Sequence, residues 1–144
     1  MSTLRIGSLV FAACFAASAH AQPVVLKVLG QPAGSGLIQK NKEQPFFEKL
    51  VAATGINASV QYVPVDVSGI PDTDGLRVLK SGLFGLVSIR GPQVSRDEPT
   101  ILGFDLVGQN PTFDAGKKNT DAFFATADKR LQANFNAKLL GVWP

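Results

Sequence analysis

The stretch Val24-Val25-Leu26-Lys27-Val28-Leu29-Gly30-Gln31-Pro32-Ala33-Gly34-Ser35-Gly36 decides the fold class. Its first six residues form a short apolar, β-branched run that reads as a buried strand ending at Gly30. Gln31 to Gly36 is a turn-rich loop. Leu37 to Thr54 then follows a helical pattern that Pro45 interrupts. Pro45 fits best as the first helical residue of a segment 45–54, where its missing N–H costs no helical hydrogen bond, with 37–44 a turn or a separate short helix. Phe46, Leu50 and Ala53 share one face of that segment, Phe47 and Val51 lie beside it, and Gly55 is a C-terminal stop.

The alternation repeats downstream. Ala58–Val63 reads as a second strand and 64–71 as a loop carrying Asp66. A short helix runs to Lys80, capped by Asp72 or Thr73, turning Leu76 and Leu79 inward and ending at Gly82. Phe84–Ile89 reads as a third strand weakened by Gly85. Residues 90–99 are a polar loop, and Ile101–Val107 is a short strand or an irregular crossover. The segment 114–137 holds the cleanest helical stripe, Phe124, Ala127, Leu131 and Phe135. Lys138–Trp143 closes as a fourth strand. Strand–helix alternation predicts an α/β fold: a mostly parallel sheet with helices on both faces, joined by right-handed crossovers.

The chain has 144 residues, with 14 Lys plus Arg against 11 Asp plus Glu, a formal charge of +3. No basic cluster sharpens that mild excess, so nucleic acid is not an expected partner. Arg5, the apolar run Ile6–Ala17 and Ala19-His20-Ala21 read together as a secretory signal peptide cut after Ala21. The run falls short of the ~20 apolar residues that a membrane span needs. Phe11-Ala12-Ala13-Cys14 also loosely resembles a lipoprotein signal, but the residues after Cys14 are still apolar. Cleavage leaves residues 22–144 at a net charge of +2, because Arg5 departs and no acidic residue does. The only Cys, His and Met (Cys14, His20, Met1) depart as well. A chain without thiol or imidazole has no Ser-His-Asp or Cys-His catalysis and no His/Cys zinc site of its own. The expected location is periplasmic, and no cofactor is expected.

Ligands of open parallel sheets bind beyond the carboxyl ends of the strands. Two loops qualify. Gln31–Gly36 has glycines that would let backbone N–H groups approach an anion, with Gln31, Ser35 and Gly36 as candidate ligand-binding residues. An ordinary turn explains the same residues. In the second loop Arg90 can grip a carboxylate bidentately, and Gln93 and Ser95 can bond the rest of a small acid. Against this, Arg96, Asp97 and Glu98 read as a solvated surface cluster to which Arg90 would belong. Asp66, Asp72 and Asp74 match no Ca²⁺ loop spacing, and helix capping accounts for Asp72. Tyr62 and Trp143 suit a cleft wall or ordinary packing. The QPAGSG loop lacks the G-x-G-x-x-G spacing and the lysine of a nucleotide loop.

Four longer words carry a family resemblance: LKVLGQPAGSGLIQKNKEQPFFEKL (26–50), DTDGLRVLKSGLF (72–84), VSRDEPTILGFDLVG (94–108) and NAKLLGVWP (136–144). They resemble the periplasmic solute-binding subunit of tripartite ATP-independent periplasmic (TRAP) dicarboxylate-type transporters. The resemblance implies a two-lobed binding protein that captures a small organic anion, a carboxylate, between α/β lobes and presents it to membrane subunits. Family members are about twice as long. By that comparison residues 22–144 are the amino-terminal part of the first, incomplete lobe, without the second-half arginine that pairs the solute carboxylate. Two departures stand out. Gly85 stands where the family commonly has an acidic residue, and Gly91-Pro92 follows the third strand. The competing expectations are a truncated remnant with no binding activity and a secreted α/β enzyme with a carboxylate base.

Overall fold

A computed structural model describes residues 23–104, 106 and 108–142. The signal-peptide and lipoprotein expectations, Cys14 and Trp143 lie outside the described residues. Strand β1 (Val24–Gly30) pairs in parallel with β2 (Ala58–Pro64), from Val24 opposite Ala58 to Gly30 opposite Pro64. Its other edge pairs in parallel with β3 (Leu86–Val87), Val28 opposite Leu86 and Leu29 opposite Val87. The order is therefore β2-β1-β3. The central strand is buried where it has neighbours on both sides, at Val28 and Leu29, and exposed at Val24 and Val25, where β3 does not reach.

Side chains alternate across a sheet, and this register puts Val28, Gly30, Tyr62 and Leu86 on one face and Leu29, Val63 and Val87 on the other. Helix α1 (Gln44–Thr54) covers the first face, with the Phe47 ring stacked on Tyr62 at 6.1 Å. Helix α2 (Gly75–Lys80) covers the second, where a β-carbon on Gly75 would sit 3.4 Å from Val87. Parallel strands with helices on both faces make this the α/β fold that the alternation predicts. The short α3 (Gly91–Val94) and the long α4 (Phe113–Phe135) complete the chain. Thr112 caps α4 by accepting from the Ala115 N–H at 3.2 Å. The main core joins Leu76, Val94, Ile101, Leu131, Phe135 and Ala137. Among the described residues no helix is long and apolar enough to cross a membrane.

Several local expectations are corrected. The helix does not begin at Pro45: it runs through a π-helical turn at Gln39–Glu43, with the Gln44 N–H bonded to the Gln39 carbonyl, and Pro45 lies in the first turn of α1. The wider turn carries the chain past a residue that has no N–H and that would crowd an α-helical carbonyl. Its buried face centres on Phe47, while Phe46 is 59% exposed and Ala53 points outward. Asp72 does not cap α2. It stands in a 3-10 turn (Asp72–Asp74), and Asp74, the residue before the helix, makes no capping bond. The third strand shrinks to two residues, although the Gly85 N–H to Lys27 and the Ser88 N–H to Leu29 extend the pairing by one bond at each end (3.0 and 2.8 Å). Residues 99–104 form a 3-10 helix and not a strand.

The final correction is the last strand. Residues 138–142 join no strand among the described residues. Ala137 and Leu139 pack inward and Leu140 points out, so the period-2 pattern survives. The Leu139 N–H donates to the Asp128 carboxylate at 2.8 Å in place of a strand carbonyl. β-propensity needs an adjacent edge to become a strand.

One close approach fixes the upper end of the sheet. A β-carbon on Gly30 would lie 2.0 Å from the Tyr62 hydroxyl oxygen and 2.4 Å or less from two of its ring carbons. The ring cannot swing away cheaply, because Phe47 stacks on it and Gln39 donates to its hydroxyl at 3.1 Å. We therefore predict that Gly30→Ala destabilises the fold by about 1–3 kcal/mol, the usual cost of overpacking. Urea denaturation checks this, with Tyr62→Ala as the second arm. The clash account requires Gly30→Ala to cost much less in the Tyr62→Ala background, and equal costs in both would refute it.

Candidate functional site

The three strands end side by side at Gly30, Pro64 and Val87, so the loops that follow them share one end of the sheet. Beside them opens a cleft of about 1930 Å³ whose walls include Gln31, Glu43, Phe47, Ser88, Arg90 and Gln93. It is larger than the roughly 300–1,000 Å³ typical of small-molecule pockets and is mostly apolar along its walls. A smaller hollow on α4, beside Lys129 and Arg130, lies away from the strand ends.

The glycine loop is already engaged. The Gln31 N–H donates to both Glu43 carboxylate oxygens at 3.3 and 3.2 Å. The Ala33 and Gly34 N–H groups donate to the two Asp66 oxygens at 2.8 and 3.0 Å. The backbone groups expected to approach an anion thus hold two of the chain's own carboxylates. Ser35 lies in the 3-10 turn Ala33–Ser35. Gly36 has φ 94° and open space around it, so its glycine answers a backbone requirement and not a close approach. Of this loop's candidates, Gln31 reaches the cleft wall and Gly36 does not.

The second loop divides as well. Arg90 lies on the cleft wall, and its guanidinium donates to the Asp72 carboxylate. Gln93 stands one helical turn further on, and its side-chain carbonyl oxygen is buried with no hydrogen-bond partner. Ser95 turns away and donates to the Pro92 carbonyl at 2.9 Å. Gln31, Arg90 and Gln93 are therefore brought to one cleft. Glu43 and Lys138 join them there, and neither stands out in the sequence, because one ends an irregular helical turn and the other begins an expected strand.

Asp66, Asp72 and Asp74 form no metal site. Each has a separate partner, respectively the glycine loop, Arg90 and Arg77. Among the described residues no cluster of three His, Cys, Asp or Glu side chains is close enough to hold a metal ion.

The solvated cluster at 96–98 is also corrected. Arg96 is exposed, but Asp97 is held by Arg77 at 2.8 Å and Glu98 is fully buried. Glu98 accepts from the Thr100 hydroxyl and N–H, from Asn134 at 2.6 Å and from Arg130 at 3.3 Å. Burial alone would raise its pKa. The hydrogen bonds from Thr100 and Asn134, with the charge of Arg130, outweigh burial and hold it below its ordinary value. The arrangement ties α4 to the 99–104 turn and leaves the carboxylate no free face, so it is a clamp and not a reactive acid.

No family model, curated protein or solved structure matches the chain.

Two predictions rest on these carboxylates. The N–H groups of Ala33 and Gly34 hold Asp66 below its ordinary pKa of 3.8. A depressed folded-state pKa contributes stability that is complete above the unfolded value and lost as pH falls through the folded one. Asp66→Asn is thus expected to flatten the stability–pH curve on the acid side of 3.8, and the Ala33 and Gly34 amide resonances are expected to titrate together there. Amide shifts that ignore pH in that window would rule the contact out. Glu98→Gln places a donor among donors and is expected to cost about 1–3 kcal/mol at neutral pH, read from thermal or urea melts. A cost near zero would contradict the clamp.

Proposed function

We propose that the chain captures a small organic anion, a carboxylate, and performs no chemistry on it. The observation that carries this reading is Arg90, placed on the wall of the cleft beside the strand ends, with the unpartnered carbonyl of Gln93 one turn away. A guanidinium offers two parallel N–H donors to a carboxylate, and partial exclusion of water strengthens that grip. The Gln93 carbonyl, buried as it stands, would have to turn outward to take a hydroxyl or amide donor of the same solute. Phe46, Phe47 and Leu50 would cover its apolar body.

The sequence words and the amino-terminal leader extend this proposal to an extracytoplasmic, periplasmic component of a TRAP-type secondary transporter, delivering solute to membrane subunits. In that setting residues 22–144 supply part of one lobe, and a second lobe would close over the cleft.

A second reading has its own support. Glu43, Asp66 and Asp72 already occupy the donors that an anion would seek. On that reading the chain is a remnant without binding activity.

Calorimetric titration of the chain with small mono- and dicarboxylates, and with their amides, separates the two. The capture reading requires a carboxylate to bind, the matching amide not to bind, and Arg90→Gln to weaken binding by about tenfold or more, the scale of one charge-assisted hydrogen bond. If none of these carboxylates binds, the remnant reading holds. Binding that is indifferent to Arg90→Gln would move the site elsewhere.

A further inference from the structure

We infer that Asp72 is an internal competitor for Arg90, so that a solute carboxylate enters by exchanging with an aspartate of the chain itself. This rests on the capture reading above and adds a residue that sets how strongly a solute must bind.

The geometry on both sides of the ion pair supports the exchange. Among the described residues Asp72 has no other partner: it makes no helix cap, and its carboxylate reaches across 18 residues of sequence to the Arg90 guanidinium. Only one terminal nitrogen of Arg90, Nη2, is engaged by it. A solute gripped through both terminal nitrogens would share Nη2 with Asp72, and two carboxylates on one nitrogen repel at short range. The pair is half open to water, with the Arg90 side chain 43% and the Asp72 side chain 26% exposed, so it is weak enough to break.

The neighbouring arginine behaves differently. Arg77 is held by two carboxylates, Asp74 at 3.0 Å and Asp97 at 2.8 Å, and it is not among the cleft walls. Arg90 faces the cleft with a single carboxylate, and Gln93 beside it has an acceptor to satisfy. An arginine with one replaceable acid, next to an unpartnered acceptor, is the arrangement in which an outside carboxylate can win. Asp72 then acts in two ways. It must be displaced, and its remaining charge repels a second anion at short range. Only a solute that bonds Arg90 through both oxygens, or adds a donor for Gln93, overcomes both effects.

The test uses the full chain and succinate as the probe. Two NMR signals are followed during the titration: the Arg90 side-chain Nε–H and the Asp72 carboxyl carbon. In the wild type both are expected to move with one midpoint, because the solute arrives as the aspartate leaves. In Asp72→Asn the Arg90 signal is expected to reach its midpoint at about fivefold lower succinate, the factor that an exposed ion pair is worth. Asp74→Asn, which touches Arg77 and not Arg90, is expected to leave the midpoint unchanged.

An Arg90 signal that moves while the Asp72 carbon stays still overturns the exchange, and this holds even if the variant does not fold. An equal or weaker midpoint in Asp72→Asn also overturns it and makes Asp72 a positioning residue. In both cases succinate still binds, so capture survives. An Arg90 signal that moves in neither protein removes succinate capture at Arg90, and the competitor with it.

Discussion

The contact on which the upper sheet depends is the Tyr62 ring lying over the α-carbon of Gly30. Tyr62 crosses from β2 to the end of β1 because residue 30 has no side chain to oppose it. Once there, it is sandwiched: Phe47 of α1 stacks on it, and Gln39 of the π-helical turn bonds its hydroxyl. An aromatic stack contributes on the order of 1 kcal/mol beyond the area it buries. Overpacking would cost as much or more, so the glycine and the aromatic are of comparable weight in holding this corner. Burial pushes the Tyr62 phenol above its ordinary pKa against the opposing bond from Gln39, and the Glu43 and Asp66 carboxylates push the same way. It therefore stays neutral and serves as a packing surface with a polar tip.

The irregular start of the first helix belongs to the same corner. A regular α-helix from Leu37 would meet Pro45 with a missing donor and a crowded carbonyl. The π-helical turn absorbs that and buries Gln39 and Glu43. Gln39 then finds Tyr62, and Glu43 finds the Gln31 N–H just beyond Gly30. A proline that looks like a helix start in the sequence thus sets where a carboxylate meets the glycine loop. Glu43 thus holds the loop at Gln31, while Asp66, just after β2, holds it at Ala33 and Gly34.

What was legible in the sequence follows from how local each signal is. The first two strands and the stripe Ala127, Leu131 and Phe135 stand where periodicity puts them, because each pattern is written within a dozen residues. That Arg90 and Gln93 lie on a cleft wall beyond the third strand was legible from a rule about strand ends. Their surroundings were not. Glu43, Asp66 and Asp72 reach their partners across 12, 33 and 18 residues, and no spacing rule connects them. Glu98 shows the same limit in reverse. A run of Arg, Asp and Glu reads as a solvated face, yet its last member is enclosed by donors 32 and 36 residues away. The final strand failed for a related reason: Lys138–Val142 has the alternation of a strand, but pairing is decided by whether an edge is adjacent.

These facts give the cleft a particular electrostatic character. Of the groups at the strand ends, Glu43, Asp66 and Asp72 carry negative charge, and Arg90 opposes them, with Lys138 on a cleft wall. On the capture proposal, an anion approaching such a mouth would meet charges of both signs. It must be held by contacts at short range, where a bidentate bond exceeds the average potential. On the capture proposal, such a site would trade rate of capture for selectivity, because a solute would have to present carboxylate and donor to Arg90 and Gln93 together to displace the resident acid.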